Sequence, residues 1–331
     1  MKKGKCILLY SGGLDSLLAG KILINEGIEV TALHFILPYF PPDTDPDLLN
    51  ESIYARQIGL NIIHYRCGDD YIEMLKNPPH GYGKHINPCI DCKIFFIKKA
   101  AEMMLQTGSD FIATGEVVGQ RPMSQYKNTL IHIENSTLKG RLLRPLSAKL
   151  LNPTIPEIEG IINRENLYDI SGRGRSRQIE LASSLGIKDF SSPAGGCLFT
   201  DKFIAARIFD LKKYNPGFAQ SELYLLKTGR HFRINPSLKI IVSKSEADTK
   251  ELERYEKYSD YLFRPDFSGP SVFVKGKLVE DDITLINSIM CRYGKPSPEG
   301  NLIQIFNHGN LYREIATIEP IKDCDLERYR I

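Results

Sequence analysis

Short apolar runs of strand length alternate with stretches of helical periodicity through the first half of the chain. Cys6–Tyr10 is a continuous apolar run, the pattern of a strand covered on both faces. From Ser16 the apolar positions Leu17, Leu18, Ala19, Ile22 and Leu23 follow a helical spacing that stops near Gly27. Glu29–Phe35 predicts a second strand, and Pro38, Pro41, Pro42 and Pro46 then force a loop. Leu48–Ile58 predicts a helix and Asn61–Tyr65 a third strand. Lys93–Gln106 predicts an amphipathic helix with Ile94, Ile97, Ala101, Met104 and Leu105 on its apolar side, and Phe111–Thr114 a fourth strand. This alternation predicts an α/β fold, a doubly wound parallel sheet, whose ligands collect at the carboxyl ends of the strands. Tyr10–Ser16 and Thr114–Glu116 fall at such ends.

The pattern changes near residue 200. Phe203–Leu211 and Ser221–Leu226 predict short helices; Lys239–Val242, Ser271–Val274 and Leu302–Phe306 predict strands. Turns such as Phe267-Ser268-Gly269-Pro270 and Asn307-His308-Gly309-Asn310 join them. A smaller α+β domain is expected over 200–331, after an α/β domain over 1–190.

Composition narrows the class. A hydrophobic fraction of 42% and the lack of an apolar run near the ~20 residues of a membrane span predict a soluble globular protein. The amino terminus has no signal-peptide pattern, so the expected location is cytoplasmic, without membrane contact. The net charge of +3 says little by itself, but Lys139, Arg141, Arg144, Lys149, Arg164, Arg173, Arg175 and Arg177 concentrate positive charge in one stretch.

Three segments carry chemistry. In Ser11-Gly12-Gly13-Leu14-Asp15-Ser16 a glycine turn joins a strand to a helix start. Backbone N–H groups and a helix N-terminus then meet, which suits a phosphate. Ser11 and Ser16 add hydroxyls, and Asp15 could hold Mg2+. The Gly-Lys-Ser/Thr ending of the common nucleoside-triphosphate loop is absent. In Asn87-Pro88-Cys89-Ile90-Asp91-Cys92 a C-x-x-C pair sits just ahead of a helix, where the helix N-terminus favours thiolate over thiol. Cys197 follows the tight turn Ser192-Pro193-Ala194-Gly195-Gly196. Cys89, Cys92 and Cys197 could ligate a 4Fe-4S cluster, or bind zinc with a fourth ligand, or form a redox pair; the plainer reading is buried small side chains. Cys6 reads as core. Arg173, Arg175 and Arg177 suit phosphate charge at the nucleotide or along an RNA backbone, or form a solvated turn. His34 would border an adenine or sit in the core as a satisfied histidine, and His80 and His85 are not singled out.

Together the loop Ser11–Ser16, the Asn87–Cys92 segment, Ala113–Gln120, Arg144-Pro145-Leu146 and Gly195-Gly196-Cys197 resemble the tRNA thiouridine synthetases, of the 4-thiouridine and bacterial 2-thiouridine types. These belong to the adenine nucleotide alpha-hydrolase (PP-loop) superfamily. The resemblance covers roughly residues 5–200. It implies adenylation of a uridine carbonyl by ATP, with AMP and pyrophosphate as products, followed by replacement of oxygen with sulfur. It also implies that Ser11, Gly12, Gly13, Asp15, Ser16, His34, Gly115, Gln120, Arg173 and Arg175 bind ATP and Mg2+. Asp15, Cys92 and Cys197 would then be catalytic, and Cys89, Cys92 and Cys197 would hold a 4Fe-4S cluster in preference to a persulfide. The implied partners are tRNA and a sulfur donor, sulfide or a carrier protein; a homodimer is left open. The carboxy-terminal domain resembles part of the ribosome quality-control factors. Two other functions stay open: a PP-loop pyrophosphatase thiolating or amidating a small molecule, and a non-catalytic, nucleotide-sensing protein that binds RNA or the ribosome.

Overall fold

The computed structural model describes residues 4–191 and 197–331, so the expected turn over Ser192–Gly196 lies outside the described residues. The chain divides into two compact units, Met1–Cys197 and Leu198–Ile331.

In the first unit the elements run β1 (Lys5–Tyr10), α1 (Leu14–Asn25), β2 (Glu29–Ile36), α2 (Asn50–Gln57), β3 (Asn61–Arg66), α3 (Asp69–Lys76), α4 (Cys89–Thr107), β4 (Phe111–Thr114), α5 (Lys127–Asn135), β5 (Leu142–Leu143), α6 (Ile155–Ile158) and α7 (Ser176–Ser184). The five strands form one parallel sheet in the order β3-β2-β1-β4-β5. Helices cover both faces. Leu8 and Tyr10 face a core shared with α1, α2 and α7, while Ile7 packs on the other side with Ile97 and Ala100 of α4 and Ile133 of α5. Burial on both faces is why β1 shows no alternation. The chain winds outward from β1 to β3, then returns to place β4 on the other side of β1. The crevice at the carboxyl ends of β1 and β4 is therefore the switch point of the topology.

Two helix starts differ from the sequence pattern. The first helix begins at Leu14, not Ser16, because the Gly13 carbonyl already accepts the N–H groups of Ser16 and Leu17. The cysteine helix begins at Cys89, not Lys93, because the Pro88 carbonyl accepts the Cys92 N–H. Cys89 and Cys92 thus lie within the first turn of α4.

The second unit contains α8 (Lys202–Tyr214), α9 (Ser221–Tyr224), β6 (Arg230–Asn235), β7 (Leu238–Val242), α10 (Glu246–Arg254), β8 (Tyr261–Pro265), β9 (Val272–Lys275), α11 (Glu280–Tyr293), β10 (Leu302–Asn307) and β11 (Asn310–Ala316). Its antiparallel sheet has the order β11-β10-β8-β9-β7-β6. Ile283, Ile286, Ile289 and Met290 of α11 pack on one face, and Leu252 of α10 with Tyr255 on the other. Asp210 of α8 accepts two hydrogen bonds from Arg233 of β6, at 2.9 and 2.7 Å, with Lys239 of β7 at 3.3 Å. Among the described residues no helix is long and apolar enough to cross a membrane.

Candidate functional site

The turn after β1 is shaped by two close approaches. Gly12 has φ +71°, and a Cβ there would run into the side chain of Glu51. Glu51 is itself fixed, since its carbonyl accepts the Tyr10 hydroxyl at 2.9 Å. Gly115, just past β4, lies against the same turn: a Cβ on it would stand 2.5 Å from Asp15 C, Asp15 O and Ser16 N. Backbone thus packs on backbone at the switch point. Gly13 is different. Its φ is −75°, and a Cβ would meet only Ser11 Oγ at 3.5 Å. The steric demand of the turn rests on Gly12 and Gly115, not on the two adjacent glycines alike.

Asp15, in the first turn of α1, is the hub of this crevice. Gln120 Nε2 donates to its Oδ2 at 3.0 Å, and Arg175 Nη2 lies 4.0 Å from the same oxygen. Burial raises the Asp15 carboxyl, while Gln120, Arg175, Arg121 and Gln178 pull it down. Its Oδ1 is buried with no hydrogen-bond partner. Ser16 turns its hydroxyl back to the Gly13 carbonyl at 2.8 Å, and Ser11 is exposed. The three loop arginines diverge. Arg175 turns inward, Arg177 pairs with Asp169 at 2.7 Å, and Arg173 is exposed. His34 of β2 is buried, with Nδ1 3.1 Å from His64 Nδ1, and His64 Nε2 lies 3.2 Å from Ser52 Oγ. Burial lowers His34 to about 4, so it is a neutral histidine at neutral pH.

The cysteines form a second group. Cys92 Sγ lies 2.9 Å from the Tyr71 hydroxyl. Burial pushes the Cys92 thiol well up; Tyr71 acts in the opposite sense, and charge on Cys197, Cys89 or Cys67 would push it further up. The expectation of a thiolate at this helix start is thereby reversed for Cys92, because desolvation of the anion outweighs the helix terminus. The same relation brings Cys89 and Cys197 each within electrostatic reach of Cys92. Cys67, just past β3, joins them; burial raises its thiol to about 12. Tyr39 follows β2. Burial raises its hydroxyl, and Cys197 and Cys92 on one side and Glu51 on the other add to the effect. Among the described residues no set of three or more His, Cys, Asp or Glu side chains is arranged to hold a metal ion. As donors, the three thiols have the chemistry of cluster ligands. Cys6 lies in the core, as read from sequence.

Two features escape the sequence. Lys93 of α4 lies 2.5 Å from Glu116 Oε1, and Arg144 donates to Glu116 Oε2 and to Glu134, both at 3.0 Å. Burial would raise Glu116, but Lys93 and Arg144 outweigh it and hold the carboxyl near 2. This network ties the cysteine turn to the segment after β4, and only the Arg144-Pro145-Leu146 motif hints at it. The other is Gln178 of α7, fully buried beside Asp15 with both amide atoms unpartnered. The arginine-rich run ahead of it is its single trace in the sequence.

Residues 229–330 match the family model described as NFACT protein RNA binding domain. Among curated proteins, a "Probable tRNA sulfurtransferase" of Caldanaerobacter subterraneus subsp. tengcongensis is 27% identical over 175 residues, 51% of this chain and 43% of its own. One so described from Ureaplasma urealyticum serovar 10 is 28% identical over 172 residues, 51% of this chain and 42% of its own. The chain thus spans less than half the length of these relatives. A crystal structure of a 4-thiouridine synthetase–RNA complex with bound ATP is 20% identical, covers 56% of this chain and 52% of its own, and gives a TM-score of 0.34. The U34-tRNA thiolase NcsA from Methanococcus maripaludis with its 4Fe-4S cluster is 16% identical, covers 68% of this chain and 70% of its own, and gives 0.31. Scores of that size carry no argument here. The family model described as Thiamine biosynthesis protein (ThiI) matches residues 1–171, more than half of the chain and all of β1–β5, and to that family the chain belongs.

Proposed function

We propose that the chain is an ATP-dependent sulfurtransferase acting on tRNA. A uridine carbonyl oxygen attacks the α-phosphorus of ATP, pyrophosphate leaves, and a sulfur nucleophile then displaces the oxygen as AMP. The observation that carries this reading is the ion pair of Lys93, next to Cys92, with Glu116 at 2.5 Å, since Glu116 follows Gly115, whose backbone packs on the phosphate-type turn. One sheet edge thereby offers both halves of the reaction, activation of an oxygen and delivery of a sulfur. The curated relatives described as tRNA sulfurtransferases support the same substrate.

In this reading the Ser11–Ser16 turn holds the polyphosphate with backbone N–H groups at the start of α1. Asp15, with one carboxylate oxygen unpartnered, would hold Mg2+, which would offset charge on the departing pyrophosphate. Gln120 and Arg175 both reach Asp15 Oδ2 and orient the carboxylate, and Gly115 fixes the height of the turn against β4. Cys89, Cys92 and Cys197 would hold a 4Fe-4S cluster, which would supply an iron able to carry sulfide. The Tyr71 hydroxyl hydrogen-bonds with Cys92 Sγ, and the Lys93–Glu116–Arg144 network fixes the turn that bears Cys89 and Cys92. The second unit supplies RNA affinity, in keeping with its match to the NFACT RNA binding domain. Adenylation has a distinct isotopic outcome. With tRNA carrying heavy oxygen at the target carbonyl, the label is expected in AMP. Label found only in water would defeat the reading.

A further inference from the structure

The first turns of two helices meet at Asp15, and neither is capped by a side chain. Gly13 precedes α1 and Arg175 precedes α7, and neither offers a side-chain hydrogen bond to its helix. Asp15 is in the first turn of α1, and Arg175 and Gln178 flank the first turn of α7. A hydrogen bond from Gly172 N–H to the Val118 carbonyl, at 2.8 Å, brings the chain ahead of α7 alongside the segment after β4. Four buried polar atoms lack partners here: Asp15 Oδ1, Arg175 Nε, Gln178 Nε2 and Gln178 Oε1. Gln178 is the most telling. Its carboxamide has no exposure, and beyond the pull it exerts on the Asp15 carboxylate its two polar atoms have no partner at hydrogen-bond distance, so a fold gains little by keeping it. A methionine or leucine would fill the same space without a buried amide.

We propose that the start of α7, with Gln178 and Arg175, is a second phosphate subsite facing the turn after β1, so that a polyphosphate is held between two helix N-termini. The Gln178 amide N–H group and Arg175 Nε donate to phosphate oxygens. The subsite rests on the nucleotide reading above, and it assigns Arg175 and Gln178 to the polyphosphate, leaving Arg173 and Arg177 to RNA.

The test compares wild-type protein with Gln178→Met by calorimetric titration with magnesium pyrophosphate and, separately, AMP, alongside the Tm of the ligand-free protein. Methionine keeps the volume and removes the unpaired amide. The expected result is pyrophosphate affinity weakened roughly tenfold or more, AMP affinity unchanged, and a ligand-free Tm equal to wild type or about 2 °C higher. A fall in ligand-free Tm overturns the inference whatever happens to binding, because the amide would then serve the fold. Unchanged pyrophosphate affinity also overturns it. Gln178→Glu guards against a methionine that mimics the contact: a carboxylate beside Asp15 and phosphate should weaken pyrophosphate further, and wild-type affinity in that variant overturns the inference too. If the wild type itself binds neither magnesium pyrophosphate nor ATP, the nucleotide reading fails, and the subsite with it. Loss in the variants alone cannot be confused with that result.

Discussion

Gly115→Ala is a one-carbon change with a large expected effect. The new Cβ would stand 2.5 Å from three backbone atoms of the phosphate-type turn, Asp15 C, Asp15 O and Ser16 N. Ordinary contact requires about 3.5 Å, so β4 and the turn must separate by roughly 1 Å. Side-chain rotation cannot absorb this, since every atom met is backbone. Forced repacking of that kind costs about 1–3 kcal/mol of stability. A 1 Å displacement of a group that positions substrate costs about 100-fold in rate. Gly13→Ala is the control, because Gly13 has negative φ and its Cβ would meet only Ser11 Oγ at 3.5 Å. The assay is pyrophosphate release with saturating ATP, Mg2+ and unmodified tRNA, beside a thermal melt. The account expects Gly115→Ala to lose about two orders of magnitude in rate, Gly12→Ala to be severely impaired, and Gly13→Ala to stay near wild type. A folded Gly115→Ala protein with wild-type turnover would refute the reasoning, because the turn could then shift without consequence.

Other outcomes follow from single sites. Cys89→Ala, Cys92→Ala and Cys197→Ala should each lose the iron bound on anaerobic purification, while Cys67→Ala, Cys291→Ala and Cys324→Ala keep it; elemental analysis decides. A Cys89→Ala protein that thiolates RNA at the normal rate without iron would replace the cluster with persulfide chemistry on Cys92 and Cys197. His34 stays neutral in the folded state down to about pH 4, whereas an unfolded histidine protonates near 6.5. Stability should therefore fall as pH drops from 6.5 to 4, by roughly 3 kcal/mol at 1.36 kcal/mol per pH unit. Denaturant titrations over that range should show the slope in wild type and a weaker one in His34→Gln. Arg173→Glu and Arg177→Glu should weaken tRNA binding and lower its salt dependence by about one unit per lost contact, leaving ATP affinity in place. A loss of ATP affinity instead would move those side chains into the nucleotide site.

Legibility in the sequence followed burial. Strands β1 and β4 are apolar over Cys6–Tyr10 and Phe111–Ala113 because helices cover both faces, so their runs stand out. The exposed edge strand β11 carries polar and charged residues outward, and its pattern gives no strand signal beyond the Asn307–Asn310 turn. Strands β6 and β8, with Arg and His among apolar positions, are hidden for a similar reason, since those charges are partnered across the sheet and helices. At the site, glycine chemistry located the turn, but not which glycine bears the steric load. Gly12 and Gly115 are set by Glu51 and Asp15, which lie far from them in sequence or on another element. The pairing of Asp15 with Gln120 joins the start of α1 to the segment after β4 across 105 positions, and the inward turn of Arg175 is equally nonlocal. The thiol character of Cys92 is not legible in the sequence, because a helix start favours a thiolate, while the burial that opposes it comes from α3 and α4 packing and outweighs the Tyr71 phenol, which acts the other way.

The central claim is that one sheet edge activates a tRNA uridine with ATP and delivers sulfur to it. Anaerobically prepared protein, incubated with ATP, Mg2+, sulfide and unmodified tRNA, tests it most directly. The RNA is digested to nucleosides for mass analysis while AMP and pyrophosphate are counted. The account predicts a thiouridine, formed in equal amount with AMP and pyrophosphate, and lost in Asp15→Ala. AMP and pyrophosphate formed with no sulfur in the RNA, or sulfur transferred without ATP, would contradict it.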